Sequence, residues 1–298
     1  MIRDPIGGEW SLRAPSRGAR PNEYANGEQE RCAFCPGNED LTPPEIARTP
    51  SSGSWSVRVF ANKYPAIEPP EGLHEVIVET PAHSPEITVA GVRMWRERYR
   101  AALEAMPTAF PVLFKNSGAL AGATLVHPHA QLVVLPQRPQ RWSAMEAAAR
   151  AYRAAHDRCV WCDEADRSAG LGHLIEASEW LRAYVRDESR FALALTILPR
   201  ECSPSPLAAG NDVWEAVANF LVRVGRGLGS ERAGAVAFNV LLVGDPQAAA
   251  FHWHVEVTVR LGLLAGFELS TGAFIREGET KESAERWRRI VGSAHGSI

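Results

Sequence analysis

The strongest constraint on this chain is one order of features that occurs twice. Each occurrence opens on a C-x-x-C pair, Cys32/Cys35 in RCAFCPG and Cys159/Cys162 in RCVWCDE. A strand-like run of alternating apolar residues follows, HEVIVET at 74–80 and FALALTILP at 191–199. An amphipathic helical stretch comes next, at 92–106 and again at 212–228. Each half then reaches an asparagine after a phenylalanine, in LFKNSG and AFNVLL. Each closes on an H-x-H strand, HPHAQLVVL at 127–135 and HWHVEVTVRL at 252–261. The pattern predicts a duplicated α+β unit. The stretch LPQRPQRW at 135–142, rich in proline and arginine, is the expected connector, giving units 1–138 and 139–298. Further helices are predicted at 143–156 and 283–292, and the first forty residues, rich in Gly and Pro, are expected to be irregular.

Composition excludes several classes of function. The 298 residues are 45% hydrophobic and 22% charged, ordinary for a soluble globular protein. A net charge of −3 gives no general pull towards nucleic acid or an anionic membrane. The basic cluster Arg286, Arg288 and Arg289 reads as a solvated helix face. No run approaches the ~18 apolar residues of a spanning helix, and MIRDPIGGEW lacks the apolar centre of a signal peptide. A cytoplasmic protein is therefore expected. In that reducing setting two C-x-x-C pairs point to metal knuckles, and neither has the strand-then-helix context of a thioredoxin-like motif.

Side chains two apart in a strand share a face, so His127 and His129 are expected to project together. Pro128 cannot donate a ladder hydrogen bond and marks the strand start. Tetrahedral zinc takes four Cys or His ligands. Two such sets are predicted, Cys32, Cys35, His83 and His127 in the first half, and Cys159, Cys162, Cys202 and His252 in the second. His74 is an alternative to His83, and His254 to Cys202.

His129 is then left beside a metal-bound histidine without being needed as a ligand. A neutral imidazole attacks phosphorus well, and the phosphoramidate so formed is itself a good donor. Gln131 lies on the same strand face and can donate an amide N–H to a phosphate oxygen, the kind of preorganised donor on which transition-state stabilisation depends. Gly118 and Gly122 in SGALAGATL let backbone amides approach phosphates, and Thr124 adds a hydroxyl.

Taken in order, RCAFCPGNED…TPPE, VFANKYPAI, HEVIVETPAH, FKNSGALAGATLVHPHAQL and AGFELSTG resemble the galactose-1-phosphate uridylyltransferase family, from about residue 3 to residue 275. That family belongs to the histidine-triad superfamily. The resemblance implies a HIT-like fold of two fused units, with mainly antiparallel sheets and flanking helices. It implies ping-pong nucleotidyl transfer: His129 attacks the α-phosphorus of a nucleotide sugar, expels the sugar 1-phosphate, and passes the nucleotide to a second phosphate acceptor. It also implies a structural zinc at Cys32, Cys35, His83 and His127, and a base and ribose pocket at Phe60, Asn62 and Tyr64. Asn116, Gly122, Thr124 and Gln131 match phosphate-binding positions, and Glu268 is a hydroxyl partner for the sugar. A homodimer with substrates between subunits is expected.

The chain departs from the family pattern at several points. Thr124 replaces a serine but keeps the hydroxyl. Lys63 stands where uridylyltransferases often have an acidic residue. Ser270-Thr271-Gly272 replaces a GTG, and the asparagine expected further on is absent, with Arg276 nearby. Cys202 stands where tandem relatives show histidine. HWHVEV also resembles the branch that includes plant nucleotide-sugar phosphorylases. Three readings follow: transfer of UMP between a nucleotide sugar and a sugar 1-phosphate; phosphorolysis or hydrolysis of a nucleotide sugar such as an ADP-sugar; and a zinc-stabilised nucleotide-binding protein without catalysis. Retention of HPHAQ in full disfavours the last, because binding alone has no use for a free His129.

Overall fold

The computed structural model describes residues 1–27, 31–83, 87–230 and 236–293. The N-terminal segment carries the paired strands β1 (Ile2–Arg3) and β2 (Trp10–Ser11), a 3-10 turn at Pro15–Ala19 and the one-turn helix α1 (Glu23–Asn26). Then come β3 (Glu45–Thr49), β4 (Val57–Ala61), β5 (Leu73–Val78), α2 (Val89–Ala105), β6 (Phe110–Ser117) and β7 (His129–Leu135). The chain continues through α3 (Gln140–His156), α4 (Val160–Gly170), β8 (Leu174–Ala177), β9 (Leu181–Tyr184) and β10 (Ala194–Pro199). It ends with α5 (Asn211–Ser230), β11 (Phe238–Val243), β12 (His254–Val259), α6 (Gly266–Thr271) and α7 (Thr280–Ser293).

Strands β3 to β12 form one antiparallel sheet in the order β3-β4-β5-β7-β6-β11-β12-β10-β9-β8. The order is the same read inwards from either edge: two short strands, the strand before the long helix, the H-x-H strand, and the strand before it. The two series meet at β6 and β11, where Asn116 lies opposite Asn239. This is the α+β architecture of antiparallel strands and flanking helices expected from the sequence, with two more strands in each series than the periodicity indicated. β4 escapes a simple alternation reading because Arg58, 1% exposed, sits inside it. Its guanidinium is held by Glu45 Oε1 at 2.8 Å and Thr42 Oγ1 at 2.9 Å, as a buried charge requires. β8 and β9 have four residues each, too few to show a period.

The long helices follow from their apolar spacing. On α2 the buried residues Val92, Trp95, Tyr99 and Ala102 recur at intervals of three and four, and the N-cap Thr88 accepts from Gly91 N at 2.9 Å. On α5 the buried series is Val213, Val217, Phe220/Leu221, Val224 and Leu228. These helices and α7 pack with Val57, Val59, Ile77, Leu132, Val134, Val240, Val255 and Val257 in one core on one sheet face. No described helix is long and apolar enough to cross a membrane.

The opposite face differs between the two ends of the sheet. Around β6, β11 and β10 it is filled by Phe110, Leu198 and Val243 packed with Trp142 of α3, Trp161 of α4 and Phe251. Around β4, β5 and β7 a smaller cluster of Phe34, Trp55, Phe60, Val76 and Val78 leaves room beside it. That space is the candidate site.

Candidate functional site

Alternation along β7 divides its side chains. Ala130, Leu132 and Val134 enter the helix-covered core, so His129 and Gln131 stand on the other face. Both line a cavity of about 260 Å³ together with Phe60, Asn62, Tyr64, Asn116, Gly122 and Thr124. Each of these residues was predicted from sequence. Lys63, singled out in the sequence as a departure from the family pattern, lines it too, as do Phe34, Arg17, Arg20 and Phe114, which were not predicted. Phe34 lies between the two cysteines of the first knuckle, its ring 5.3 Å from that of His129 and 5.5 Å from that of Phe60. An aromatic residue within a knuckle was the available signal. Arg17 and Arg20 belong to the irregular N-terminal segment, where Arg17 Nη1 donates to Tyr64 O at 2.9 Å. The same segment supplies Glu23, whose carboxylate accepts from Val126 N at 2.7 Å and whose N–H donates to Thr124 O at 2.8 Å. The loop before the H-x-H strand is thus held from outside.

His129 is 7% exposed. Its Nδ1 lies 2.8 Å from the His127 carbonyl, which can only accept, so Nδ1 carries the proton and Nε2 keeps its lone pair. Burial pushes His129 down to about 4, opposed by that hydrogen bond and helped by the Lys115 ammonium. The imidazole is therefore neutral at pH 7, as a nucleophile must be. Lys115 and Glu79, both buried, form an ion pair beside it, and Lys115 Nζ also donates to His129 O at 3.5 Å.

His74 sits at the far side of Gln131. The Ala66 N–H donates to His74 Nδ1 at 2.9 Å, so the ring proton is on Nε2, 3.0 Å from Gln131 Oε1. With its oxygen engaged, Gln131 has its NH₂ free for the cavity. His74 belongs to this network, and the first metal group contains His83 instead. Asn62 Oδ1 accepts from Tyr64 N at 2.8 Å and so shapes the FANKYP turn. Gly122 ends the 3-10 turn Ala119–Ala121 at φ +83, a left-handed conformation that glycine adopts without strain.

Two groups of Cys and His have ligand atoms within 4.8 Å of one another: Cys32, Cys35, His83 and His127, and Cys159, Cys162, Cys202 and His252. In each, both knuckle sulfurs lie 3.6 Å from the Nδ1 of the first H-x-H histidine. Tetrahedral zinc, with Zn–S near 2.3 Å and Zn–N near 2.1 Å, requires about 3.6 Å between S and N. The residues therefore fit a tetrahedral metal ion. In the first group His127 Nε2 donates to Thr80 O at 2.8 Å, which fixes the tautomer that leaves Nδ1 for metal. In the second group Cys202 is exposed and Arg153 Nη2 stands 3.8 Å from its sulfur. His254, the alternative to Cys202, is committed elsewhere.

His254 is the positional counterpart of His129, and its Nδ1 likewise faces the His252 carbonyl at 2.9 Å. Its surroundings are closed. Glu256 replaces the amide of Gln131, lies 3.4 Å from His254 Nε2, and is held by Arg141 at 2.6 and 2.8 Å. Trp161 and Phe251 pack on the ring. A carboxylate there repels a phosphate, so the two halves are chemically unlike despite their shared motif.

Glu268 does not reach the cavity within the chain. Its carboxylate caps its own helix, accepting from Ala265 N at 3.1 Å and Ile275 N at 3.4 Å. The segment around it exposes Leu261, Leu263, Phe267, Leu269 and Ile275.

No protein-family model matches the chain. It is 24% identical to ADP-glucose phosphorylase of Arabidopsis thaliana over 97% of its own length and 92% of that protein's. It is 23% identical to galactose-1-phosphate uridylyltransferase of Thermotoga maritima over 96% of each. The chain is a homologue of both enzymes. Its fold is theirs as well: the Arabidopsis phosphorylase solved with bound ADP-glucose superposes with a TM-score of 0.77 at 22% identity, covering 96% of this chain and 97% of that one. A uridylyltransferase structure gives 0.80 at 22% identity over 98% of each chain.

Proposed function

We propose that this protein is a nucleotidyltransferase that moves a nucleoside monophosphate from a nucleotide sugar to a second phosphate through His129. The observation that carries the reading is the neutral, Nδ1-anchored His129 facing a cavity lined by the amides of Asn116 and Gln131, the Gly122 turn and Thr124. In the first step Nε2 attacks the α-phosphorus, a P–N bond forms, and the bond to the bridging oxygen breaks, releasing sugar 1-phosphate. In the second, an acceptor phosphate oxygen attacks the same phosphorus and the P–N bond breaks, restoring the lone pair. Gln131, Asn116 and the Gly122 turn supply donors to the phosphoryl oxygens. Phe60, Asn62 and Tyr64, joined by Phe34, form the base and ribose pocket. Cys32, Cys35, His83 and His127, and likewise Cys159, Cys162, Cys202 and His252, would each hold a zinc ion that stiffens the fold, the first next to His129.

Transfer of UMP to a sugar 1-phosphate, as in a uridylyltransferase, is the first form of this reading. The second form is phosphorolysis of an ADP-sugar. It is favoured by the likeness to ADP-glucose phosphorylase along 97% of the chain and by Lys63 at the cavity, where uridylyltransferases often carry an acidic residue. We further propose units 1–138 and 139–298, a cytoplasmic location in carbohydrate metabolism, and a homodimer in which the exposed 261–275 segment carries Glu268 to a partner's cavity. The test is to follow consumption of UDP- and ADP-sugars with either inorganic phosphate, which yields a nucleoside diphosphate, or a different sugar 1-phosphate, which yields a new nucleotide sugar, as acceptor. The reading expects one donor–acceptor pair to react, with loss in His129→Ala. No reaction with any pair contradicts it.

A further inference from the structure

Asn239 lies on β11, outside the lining of the cavity, in the half of the chain whose own H-x-H site is closed. It stands directly opposite Asn116 in the antiparallel β6–β11 register, so the two side chains share a sheet face. Its Nδ2 donates to Asn116 Oδ1 at 2.8 Å and to the Ala121 carbonyl at 2.9 Å. The second bond decides the orientation of both amides. A backbone carbonyl can only accept, so the Asn239 atom is the NH₂ nitrogen, and the Asn116 atom that meets it must be the oxygen. Asn116 is then left with its own NH₂ turned away from Asn239. That nitrogen is 4.0 Å from where a Cβ on Gly122 would stand, over the turn that lines the cavity. The bond to Ala121 ties down the same 3-10 turn.

We propose that Asn239 is a positioning residue for nucleotidyl transfer: it sets the Asn116 amide and the Gly122 turn so that donors, not a carbonyl oxygen, face the transferring phosphate. A flipped Asn116 would present a lone pair to an anion and reverse the sign of the contact. The inference rests on the reading of His129 as the nucleotidyl acceptor, and it gives the second half of the chain a part in a site built on the first.

The test uses Asn239→Asp, Asn116→Ala and the double variant of the full-length protein. An aspartate cannot donate to either oxygen, and it invites Asn116 to turn its NH₂ away from the cavity. The rate of His129 nucleotidylation, read by intact-protein mass over time, should fall on the order of a hundredfold in Asn239→Asp. Affinity for the phosphate-free nucleoside should stay within about twofold, which a general loss of structure would not allow. In the Asn116→Ala background, Asn239→Asp should cost about tenfold or less, the part due to the lost Ala121 bond, because coupled residues are not additive. If the aspartate variant unfolds early, Asn239→Ser, which keeps one donor, should slow transfer by about tenfold in the parent and not at all beside Asn116→Ala. Wild-type rates in Asn239→Asp, or losses that simply add, overturn the inference and leave the function standing. Absence of any adduct in the wild type overturns both.

Discussion

The carbonyl oxygen of His127 and the Nδ1 of His129 are 2.8 Å apart. One residue thus joins a candidate metal-ligand group through its ring and fixes the tautomer of the proposed nucleophile through its backbone. A loss at the first group should therefore reach His129. Stripping the first metal, or His127→Ala, is expected to slow nucleotidylation about 10- to 100-fold. Metal analysis during a chelator titration, with adduct rates measured on the same samples, checks this. A rate unchanged after the first ion has left contradicts it.

The second group sits on the closed half of the molecule, and its Cys202 is exposed. Cys202→Ala should reduce metal content from about two ions per chain to about one, with adduct rates within about twofold of wild type. Cys202→His should retain the ion, since imidazole is an equally suitable ligand. Elemental analysis of the purified variants decides between these outcomes.

His74 predicts a pH dependence of stability. Burial, above all, holds it at about 4, with the Gln131 hydrogen bond opposing and the Arg17 cation helping. An unfolded histidine near 6.5 takes up the proton that the folded one refuses. The stability this group contributes is therefore present above about pH 6.5 and is lost as pH falls from about 6.5 to about 4, by up to roughly 3 kcal/mol. Urea midpoints at a series of pH values should fall more steeply for wild type than for His74→Gln across that window. Parallel curves would contradict the assignment.

Helices α5 and α7 approach closely at Gly227. A Cβ there would lie 2.0 Å from the Ile290 carbonyl oxygen, a backbone atom that cannot turn aside. Gly227→Ala should lower stability by about 2 kcal/mol or more despite the better helix propensity of alanine. Denaturant unfolding at constant slope measures it, and an unchanged midpoint would show that the helices separate freely.

Much of this was legible in the chain because its signals are periodic or exact in spacing. The 3- and 4-residue steps of Val92, Trp95, Tyr99 and Ala102 and the two C-x-x-C and two H-x-H motifs survive in one dimension. What escaped depends on contacts between distant segments. Arg58 hid β4 because a buried cation is tolerable only once Glu45 and Thr42 are beside it. His74 read as a spare metal ligand because the sequence does not show that Gln131 stands across from it on the neighbouring strand. Asn239 appeared only as an echo of Asn116, with no hint that the two meet. Glu268 was placed at the sugar by resemblance; within the chain its carboxylate caps its own helix, away from the cavity lining.

The proposed transfer runs through a nucleotide held on His129. The most direct measurement is the intact mass of the protein after brief exposure to UDP- and ADP-sugars without acceptor, for wild type and His129→Ala. The expected result is a gain of one nucleoside monophosphate in the wild type, cleared by addition of acceptor phosphate and absent from the variant. An unmodified wild type that still turns over, or an adduct that persists in His129→Ala, would contradict it.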